Sequence, residues 1–568
     1  RGGLSPLDRG GGLFAVAASP TLRHVRFRRN TAWGVPGLGG EGHGGGAYVE
    51  GGTPRFEGVL FEGNRAVGGG ALFSTGAAGA YVGCVVRDNA KYGAVRLEGG
   101  DASTFEGCLF EGNVGYSDAG PSTGTNSAVF VADSSPRFVG CVFRGNGGTE
   151  ATTEGGGAFI EGAAAAPVFE GCLFEGNAAL GAGGAVFVQA LAAPLFLGTT
   201  FRANRTLGGG AAVQSNDAFP TFVACTFEHN EAIGGAFGSD TSAPVLLNAV
   251  FRGNRAHAGG FSDGAGGALS AYLNGPPPGV PLVANAVFVG NEAPAGFGGA
   301  VVVGAGAPLR MVNVTAAGNR AGQTGGALHL QDGAGVRLEN VVVWGNEAEE
   351  GAGVFVAAGG AGPTVERAVL QGGCPEGAPC AGVLGADPLF VRSPDPGPDG
   401  EWGTGDDDYG DLRLQEGSPA VDHGLEGLLP ADVWDLDGDG DTQEPLPVDL
   451  AGGPRVQGGA PDLGAYEGAV AVAAEPVDPV AGVGASLAVW PNPAGEAVTA
   501  GLTLSRPVEA EVVVLDVLGR RVAVLHRGPL AAGGHRLGLD GRALVPGLYV
   551  VRAAVGAEVL TRRLTVVR

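Results

Sequence analysis

A four-residue unit, Phe-x-Gly-Asn, returns through more than half of this 568-residue chain. A chain that repeats at such spacing has few folds open to it. The unit reads Phe61-Glu-Gly-Asn64, Phe110-Glu-Gly-Asn113, Phe143-Arg-Gly-Asn146, Phe174-Glu-Gly-Asn177 and Phe251-Arg-Gly-Asn254. Looser copies end at Asn30, Asn89, Asn204, Asn230, Asn291, Asn319 and Asn346, twelve in all, at intervals of 24 to 37 residues. Gly-Gly-Ala and an apolar run follow most of them, as at Gly69-Gly70-Ala71-Leu72. A Pro-x-Phe-x-Gly-Cys-x-Phe run leads into several, as from Pro136 to Phe143. Within each unit, short Phe- and Val-rich runs alternate with Gly, Asn and Pro, the pattern of strands and turns rather than of helices. Two or three such strands cannot bury an apolar face alone, but coils stacked on one another can. The spacing therefore predicts an all-β, right-handed parallel β-helix over residues 1–386. About twelve coils at ~4.8 Å make a rod of roughly 60 Å.

Stacking turns equivalent positions into vertical neighbours. The asparagines are expected to form a ladder of side-chain amides. Cys84, Cys108, Cys141, Cys172 and Cys225, each two residues before the Phe position, are expected as a buried column of small side chains. The residue after the Phe position reads Arg28, Glu62, Arg87, Glu111, Arg144, Glu175, Arg202, Glu228, Arg252, alternating in sign without a miss. As that column ends, the residue after the Asn takes over: Arg205, Glu231, Arg255, Glu292, Arg320, Glu347. Opposite charges one coil apart attract and like charges repel. Two exposed ion-pair ladders follow, each pair contributing about 0–1 kcal/mol and disfavouring slipped registers.

Composition removes other classes. Glycine is abundant at 110 residues, yet no strict Gly-X-Y period runs through the chain, so collagen is excluded. A formal net charge of −24, with Lys91 the single lysine, argues against nucleic acid as a partner. No apolar stretch is long enough for a membrane-spanning helix. The chain begins at Arg1 rather than Met, so the absence of a targeting segment there carries no information about compartment.

The Gly-Gly-Ala-aliphatic and Phe-x-x-Asn pair resembles the repeats of chlamydial polymorphic outer membrane proteins and related bacterial β-helix proteins. The resemblance covers about residues 27–356 and departs where Val86, Ala316 and Val343 replace Phe. It implies a secreted or surface-exposed protein and says little about activity. Such families include adhesins, whereas other β-helices are pectate lyases and related glycan-cleaving enzymes.

After Gly360 the repeat fades. Cys374 and Cys380 are close enough for a small disulfide in a secreted chain, the alternative being two free thiols in a loop. Residues 387–467 carry Asp387-Pro-Leu-Phe390, Ser418-Pro-Ala-Val-Asp422 and Asp462-Leu-Gly-Ala-Tyr-Glu467. This order resembles a choice-of-anchor module, expected to cap the open C-terminal end of the solenoid. Inside it, Asp435, Asp437, Asp439 and Asp441 alternate around a Gly turn and offer the hard oxygen ligands that calcium takes. Leu446 stands where an EF-hand needs Glu, so a different calcium loop is expected, with Glu444 or Asp449 as extra ligands. The alternative is a solvated acidic turn. Asp406, Asp407, Asp408 and Asp411 form a second acidic group.

A Pro- and Ala-rich linker at 468–486 precedes alternating Val and Leu strands over 487–568, which suggest a small immunoglobulin-like β-sandwich. Its landmarks are Pro491, Asn492 and Pro493, then Asp516 and Gly519 in Leu515-Asp-Val-Leu-Gly-Arg520, then Gly547 and Tyr549 in Leu544-Val-Pro-Gly-Leu-Tyr549. Together they resemble the C-terminal sorting domain of the type IX secretion system. That resemblance implies export across the outer membrane by the type IX machinery and an extracellular or cell-surface destination.

Glycan hydrolysis needs two carboxylates about 5–10 Å apart across a sugar. In the coils, Asp88, Asp101, Asp118, Asp133, Asp217, Asp240, Asp263 and Asp332 fall in different turns, and the ladder acids are matched by arginines. His24, His229, His257 and His329 follow no metal-binding spacing, and no Gly-rich run continues into Lys-Ser/Thr. The expectation is a non-catalytic surface protein that presents loops to a glycan or another cell, with no cofactor beyond calcium. The longest intervals, 31–60, 114–140 and 255–287, hold those loops, with Tyr116 and Tyr272 as candidate contacts. A polysaccharide lyase or hydrolase of the pectate-lyase-like class is the alternative, and a purely structural spacer a third reading.

Overall fold

The computed structural model describes residues 9–468 and 486–566, except 33–41, 90–92, 115–126, 148–153, 258–265, 276–277, 360–361, 438, 491–496, 505–506, 517–520, 541–543, 545–546 and 556–557. Thirteen strands, from Leu13–Val16 to Val354–Val356, stack in parallel as the first sheet of a β-solenoid. A second sheet of 23 strands takes the short runs that lead into and include the Phe position of each repeat. A third, of six two-residue strands, takes the pair after six of the asparagines, from Asn177 to Asn319. Register between coils is strict, with Phe110 opposite Phe143 and Phe143 opposite Phe174.

The motif explains itself in this geometry. Its Phe side chains point inward and stack, with ring centroids 4.6 Å apart for Phe110–Phe143. A second inward column runs beside it, through Phe105, Phe138, Phe169 and Phe196. Gly176 bends the chain in the left-handed region (φ 62°), which glycine enters without strain. Asn177 then turns inward. Its Nδ2 donates to the Asn204 Oδ1 at 3.0 Å and to the Phe143 carbonyl at 2.9 Å, while its Oδ1 accepts from the Asn146 backbone N–H. The same bonding runs from Asn30 to Asn346, where the Gln371 Oε1 accepts the Asn346 N–H at 2.9 Å and ends it. In Gly-Gly-Ala, Gly157 lies so near the next coil that a Cβ would stand 2.8 Å from both the Ala185 carbonyl and the Phe174 ring.

The cysteine column is buried as expected, and each thiol has a task. Cys108, Cys141, Cys172 and Cys225 donate to the backbone carbonyls of Tyr81, Phe105, Phe138 and Phe196 at 3.3–3.4 Å. Thr199 fills the same position with a hydroxyl, 3.2 Å from the Phe169 carbonyl.

Charge alternation becomes ion pairing along the rod. Glu62 pairs with Arg28 and, at 2.6 Å, with Arg87; Glu175 pairs with Arg144 at 2.9 Å and Arg202 at 3.6 Å; Glu228 pairs with Arg202 and Arg252, each at 2.5 Å. Glu111 stands in register between Arg87 and Arg144 yet, among the described residues, forms no ion pair with either. In the second column Arg205 meets Glu231 at 3.1 Å, and Arg320 meets Glu292 and Glu347 at 3.6 and 3.0 Å.

Residues 387–467, expected to cap the open end, instead lie along the flank of the rod. Phe390, Leu412, Leu414, Leu463 and Ala465 pack on the outward side chains Val287, Val289, Ala317, Val342 and Val369. Leu446 seats on Val223, Leu247, Ala284 and Val312, and Trp402 lies against Gly290, 2.6 Å from where a Cβ would stand. This placement explains the hand-over between charge columns. The first column runs under the flanking segment after Arg252, where Val289, Ala317 and Trp344 succeed it in register. The second column meets the edge of the same segment: the Trp402 N–H donates to Glu292, which is buried, and Arg320 donates to the Gly400 carbonyl.

Cys374 and Cys380 are disulfide-bonded, and Cys380 opens the last strand of the second sheet, Cys380–Leu384. Beyond the linker, a three-stranded and a four-stranded antiparallel sheet enclose one apolar core that includes Leu487, Val498, Val512, Val551 and Leu564. This is the β-sandwich expected of the C-terminal residues.

Candidate functional site: the acidic loop and the groove at the flank

Three features of the flanking segment come from its acidic sequence. The first is a buried staple. Asp462 accepts the Asp422 and Gly468 backbone N–H groups at 2.7 and 2.9 Å. Asp449 accepts those of Gly453 and Glu467 at 2.8 and 2.9 Å, and Glu467 accepts those of Gln457 and Asp462 at 3.0 and 2.9 Å. Arg455, 1% exposed, reaches the Asp462 carbonyl at 2.6 Å and the Glu467 carboxylate at 3.4 Å. The motif Asp462-Leu-Gly-Ala-Tyr-Glu467 thus folds the segment on itself with Asp449 in the staple, apart from the carboxylate groups of the acidic loop. Burial pushes the Glu467 carboxyl up to about 7, against the pull of these amides and Arg455.

A column of asparagines then seats the segment. At the corner inside the second sheet every coil adopts a positive φ. The residue there is Gly in most early coils (Gly140, Gly171 and Gly198) and Asn248, Asn285, Asn313 and Asn340 beneath the flanking segment. Asn285 donates to the Val448 carbonyl at 2.5 Å. Asn340 donates to the Leu425 carbonyl at 3.1 Å and accepts the Leu425 N–H at 2.9 Å. Nothing in the repeat motif marks these asparagines. The one signal for them is the loss of glycine at a fixed offset from the Phe.

The third feature is the acidic loop. Carboxylate oxygens of Asp435, Asp437 and Asp439 lie within 4.8 Å of one another, and so do those of Asp432, Asp437 and Glu444, whereas Asp441 belongs to neither set. Asp432 is buried and Asp437 exposed. The Glu444 Oε1 is shielded from solvent and has no hydrogen-bond partner among the described residues. Burial and the charges of Asp439, Asp437, Asp441 and Asp432 raise its pKa, so the loop is short of positive charge. The second acidic group is committed elsewhere. Asp407 accepts the Gly403 and Thr404 N–H groups and the Tyr409 hydroxyl, Asp408 pairs with Arg392 at 2.7 Å, and Asp411 pairs with Arg413 at 2.5 Å.

Beside the loop, between the solenoid flank and the segment, lies a groove of about 630 Å³. Its walls include Thr226, Asn248, Val250, Asp437, Leu450 and Tyr466.

The other predicted positions are dispersed. Tyr116 lies outside the described residues. Tyr272 ends the strand Leu269–Tyr272, half-buried against Gly304 of the next coil, and burial raises its pKa. Of the sorting landmarks, Pro491, Asn492, Pro493 and Gly519 lie outside the described residues. Asp516 stands opposite Tyr549 and Gly547 opposite Val566, with Tyr549 buried in the sandwich core. His24 and His229 occupy left-handed corners, and His257 pairs with Glu231. His329 is stacked between Phe297 and Phe355, where burial lowers its pKa to about 4.

Comparison with known proteins finds two regions. Residues 11–201 match the family model of a right handed beta helix region, and residues 488–567 match that of a secretion system C-terminal sorting domain. No curated protein matches the chain. No helix among the described residues is long and apolar enough to cross a membrane.

Proposed function

We propose that the β-helix is a non-catalytic surface for glycans or for other cells, displayed outside the cell that makes it. The sorting domain makes the chain a secreted or cell-surface β-helix protein handled by the type IX secretion machinery. The observation that carries the rest is the commitment of the carboxylates along the rod. Apart from Glu111, the ladder glutamates are held by arginines one coil away, and the staple acids are tied up by backbone amides. The acidic-loop carboxylates, which are not committed in this way, are read as calcium ligands. An acid–base pair for sugar hydrolysis needs two unengaged carboxyls across an open cleft. The resemblances to polymorphic outer membrane protein repeats and to a choice-of-anchor module support the same reading. A polysaccharide array with the full chain, read both for retention and for newly formed unsaturated or reducing ends, tests it. Retention without product supports binding; release of product makes the chain a lyase or hydrolase.

The acidic loop is proposed to take calcium. Its donors are all carboxylate oxygens, the hard ligands this ion takes, and Glu444 presents an unpartnered one. Asp432, Asp437 and Glu444 would hold the ion, with Asp435 and Asp439 adjoining. Calcium titration by calorimetry is expected to show one site that Asp437→Asn removes, and an unchanged isotherm in that variant counts against the proposal.

A further inference from the structure

The outer face of the second sheet is covered along only part of its length. Where the Phe of a repeat points inward, the residue before it points outward, and these residues stack as one column: Leu60, Val85, Leu109, Val142 and Leu173. All five are half-buried. The column continues through Thr200, Thr226 and Val250 to Val287, which is 3% exposed beneath the flanking segment. Among the described residues, the apolar clusters that the flanking segment forms with the rod include none of the five. At ~4.8 Å per coil, an apolar stripe of about 20 Å thus lacks the cover that its own continuation has.

The charges beside the stripe say what fits on it. Arg28, Glu62, Arg87, Glu111, Arg144 and Glu175 run along it, one to a coil, each two residues beyond the stripe position. A second rod facing this one in the same direction, coil for coil, sets each charge against its own kind. A rod turned end over end, about a two-fold axis in the contact plane and perpendicular to the rod, sets plus against minus at every level when the axis passes midway between two coils. The midpoint of these six coils lies between Arg87 and Glu111. Glu111 is also the one ladder glutamate with no ion pair among the described residues, because Arg87 turns to Glu62 and Arg144 to Glu175. Such an axis brings Glu111 to the partner's Arg87, Glu62 to the partner's Arg144 and Glu175 to the partner's Arg28, while the two apolar stripes meet. We propose that this stripe is the contact of an antiparallel dimer of the chain, centred between Arg87 and Glu111. The proposal goes beyond the glycan-binding reading and does not depend on it.

Sedimentation equilibrium of the full chain is expected to show a monomer–dimer equilibrium in the micromolar range, as suits a narrow contact, and to weaken as salt rises. Glu111→Arg sets like charges against each other at both symmetry-related positions, and Arg87→Glu does the same with the opposite sign. Each variant alone is expected to dimerise at least about tenfold more weakly than wild type. Mixed together, the two complement each other at both positions and should form a heterodimer. Leu109→Gln, at an outward position, is expected to weaken the dimer without moving the melting temperature, and it decides the matter should a charge variant fail to fold. A wild-type chain that stays monomeric at about 100 µM overturns the proposal. So does a dimer that Glu111→Arg or Leu109→Gln leaves intact, or a mixture of folded charge variants that stays monomeric. Association of wild type into open-ended polymers also overturns it, since a parallel contact slid by one coil matches the signs but does not close.

Discussion

Asn177 shows what one side chain does in a stacked fold. It is fully buried and satisfies a carbonyl below, an amide above and its own lone pairs together. Asn177→Ala leaves several of those partners bare. Each buried group without a partner costs about 1–3 kcal/mol, so a loss of at least about 2 kcal/mol is expected in urea unfolding. Cys141 is a milder case, because Thr199 shows that a hydroxyl serves at the same position. Cys141→Ser should therefore unfold close to wild type, whereas Cys141→Ala should lose about 1 kcal/mol. His329 gives the pH dependence of its site. Its pKa falls from 6.5 unfolded to about 4 folded, so the folded state binds fewer protons between those values. Its contribution is present above pH 6.5 and is lost as pH falls through 4. His329→Phe should flatten that part of the stability profile, as melts from pH 7 to pH 4 will show. The asparagine and cysteine columns are legible in the sequence because each recurs at a constant offset from a Phe. Asn248, Asn285, Asn313 and Asn340 are not, since their partners lie more than a hundred residues away for Asn285 and 85 away for Asn340.

At the scale of elements, the ladders specify which coil sits on which. Glu175→Arg places three arginines in register at 144, 175 and 202. An exposed pair contributes up to about 1 kcal/mol, so a loss of about 1–2 kcal/mol is expected, reduced at high salt. Restoring opposite charge with Arg144→Glu in the same chain should recover part of it. The alternation is readable in the order of residues alone. Its transfer from one column to the other is readable too, but the reason is not, because a pattern along one strand cannot show what lies over it. Expecting a cap fails for a similar cause. Residues 387–467 have little regular structure, and their apolar residues (Phe390, Leu412, Leu446, Leu463) say only that something must cover them. Leu446→Asp is expected to lift this segment. Limited proteolysis should cut within 387–467 much faster than in wild type while the β-sheet circular dichroism of the rod persists.

For the whole molecule, destination and body are separable. The sandwich has its own core, and the rod has another. Removing residues 488–568 should leave the rod folded but retained inside the producing cell, as fractionation with an antibody to the rod will show. Export of the shortened chain at the normal level would contradict the role of the sorting domain. The fold class and the sorting landmarks are legible because both are carried by local motifs. The groove is invisible in the sequence, since Thr226 and Tyr466, two of its walls, come from distant parts of the chain.

Alternation along the rod also limits how its length can change. Duplicating a single coil in the uncovered part sets two like charges against each other in the ladder, whichever coil is copied. Duplicating two neighbouring coils keeps the order of signs unbroken above and below the insertion. The exposed portion can therefore grow or shrink by pairs of repeats, and a gene encoding such a rod has a unit of inheritance twice the size of its unit of structure.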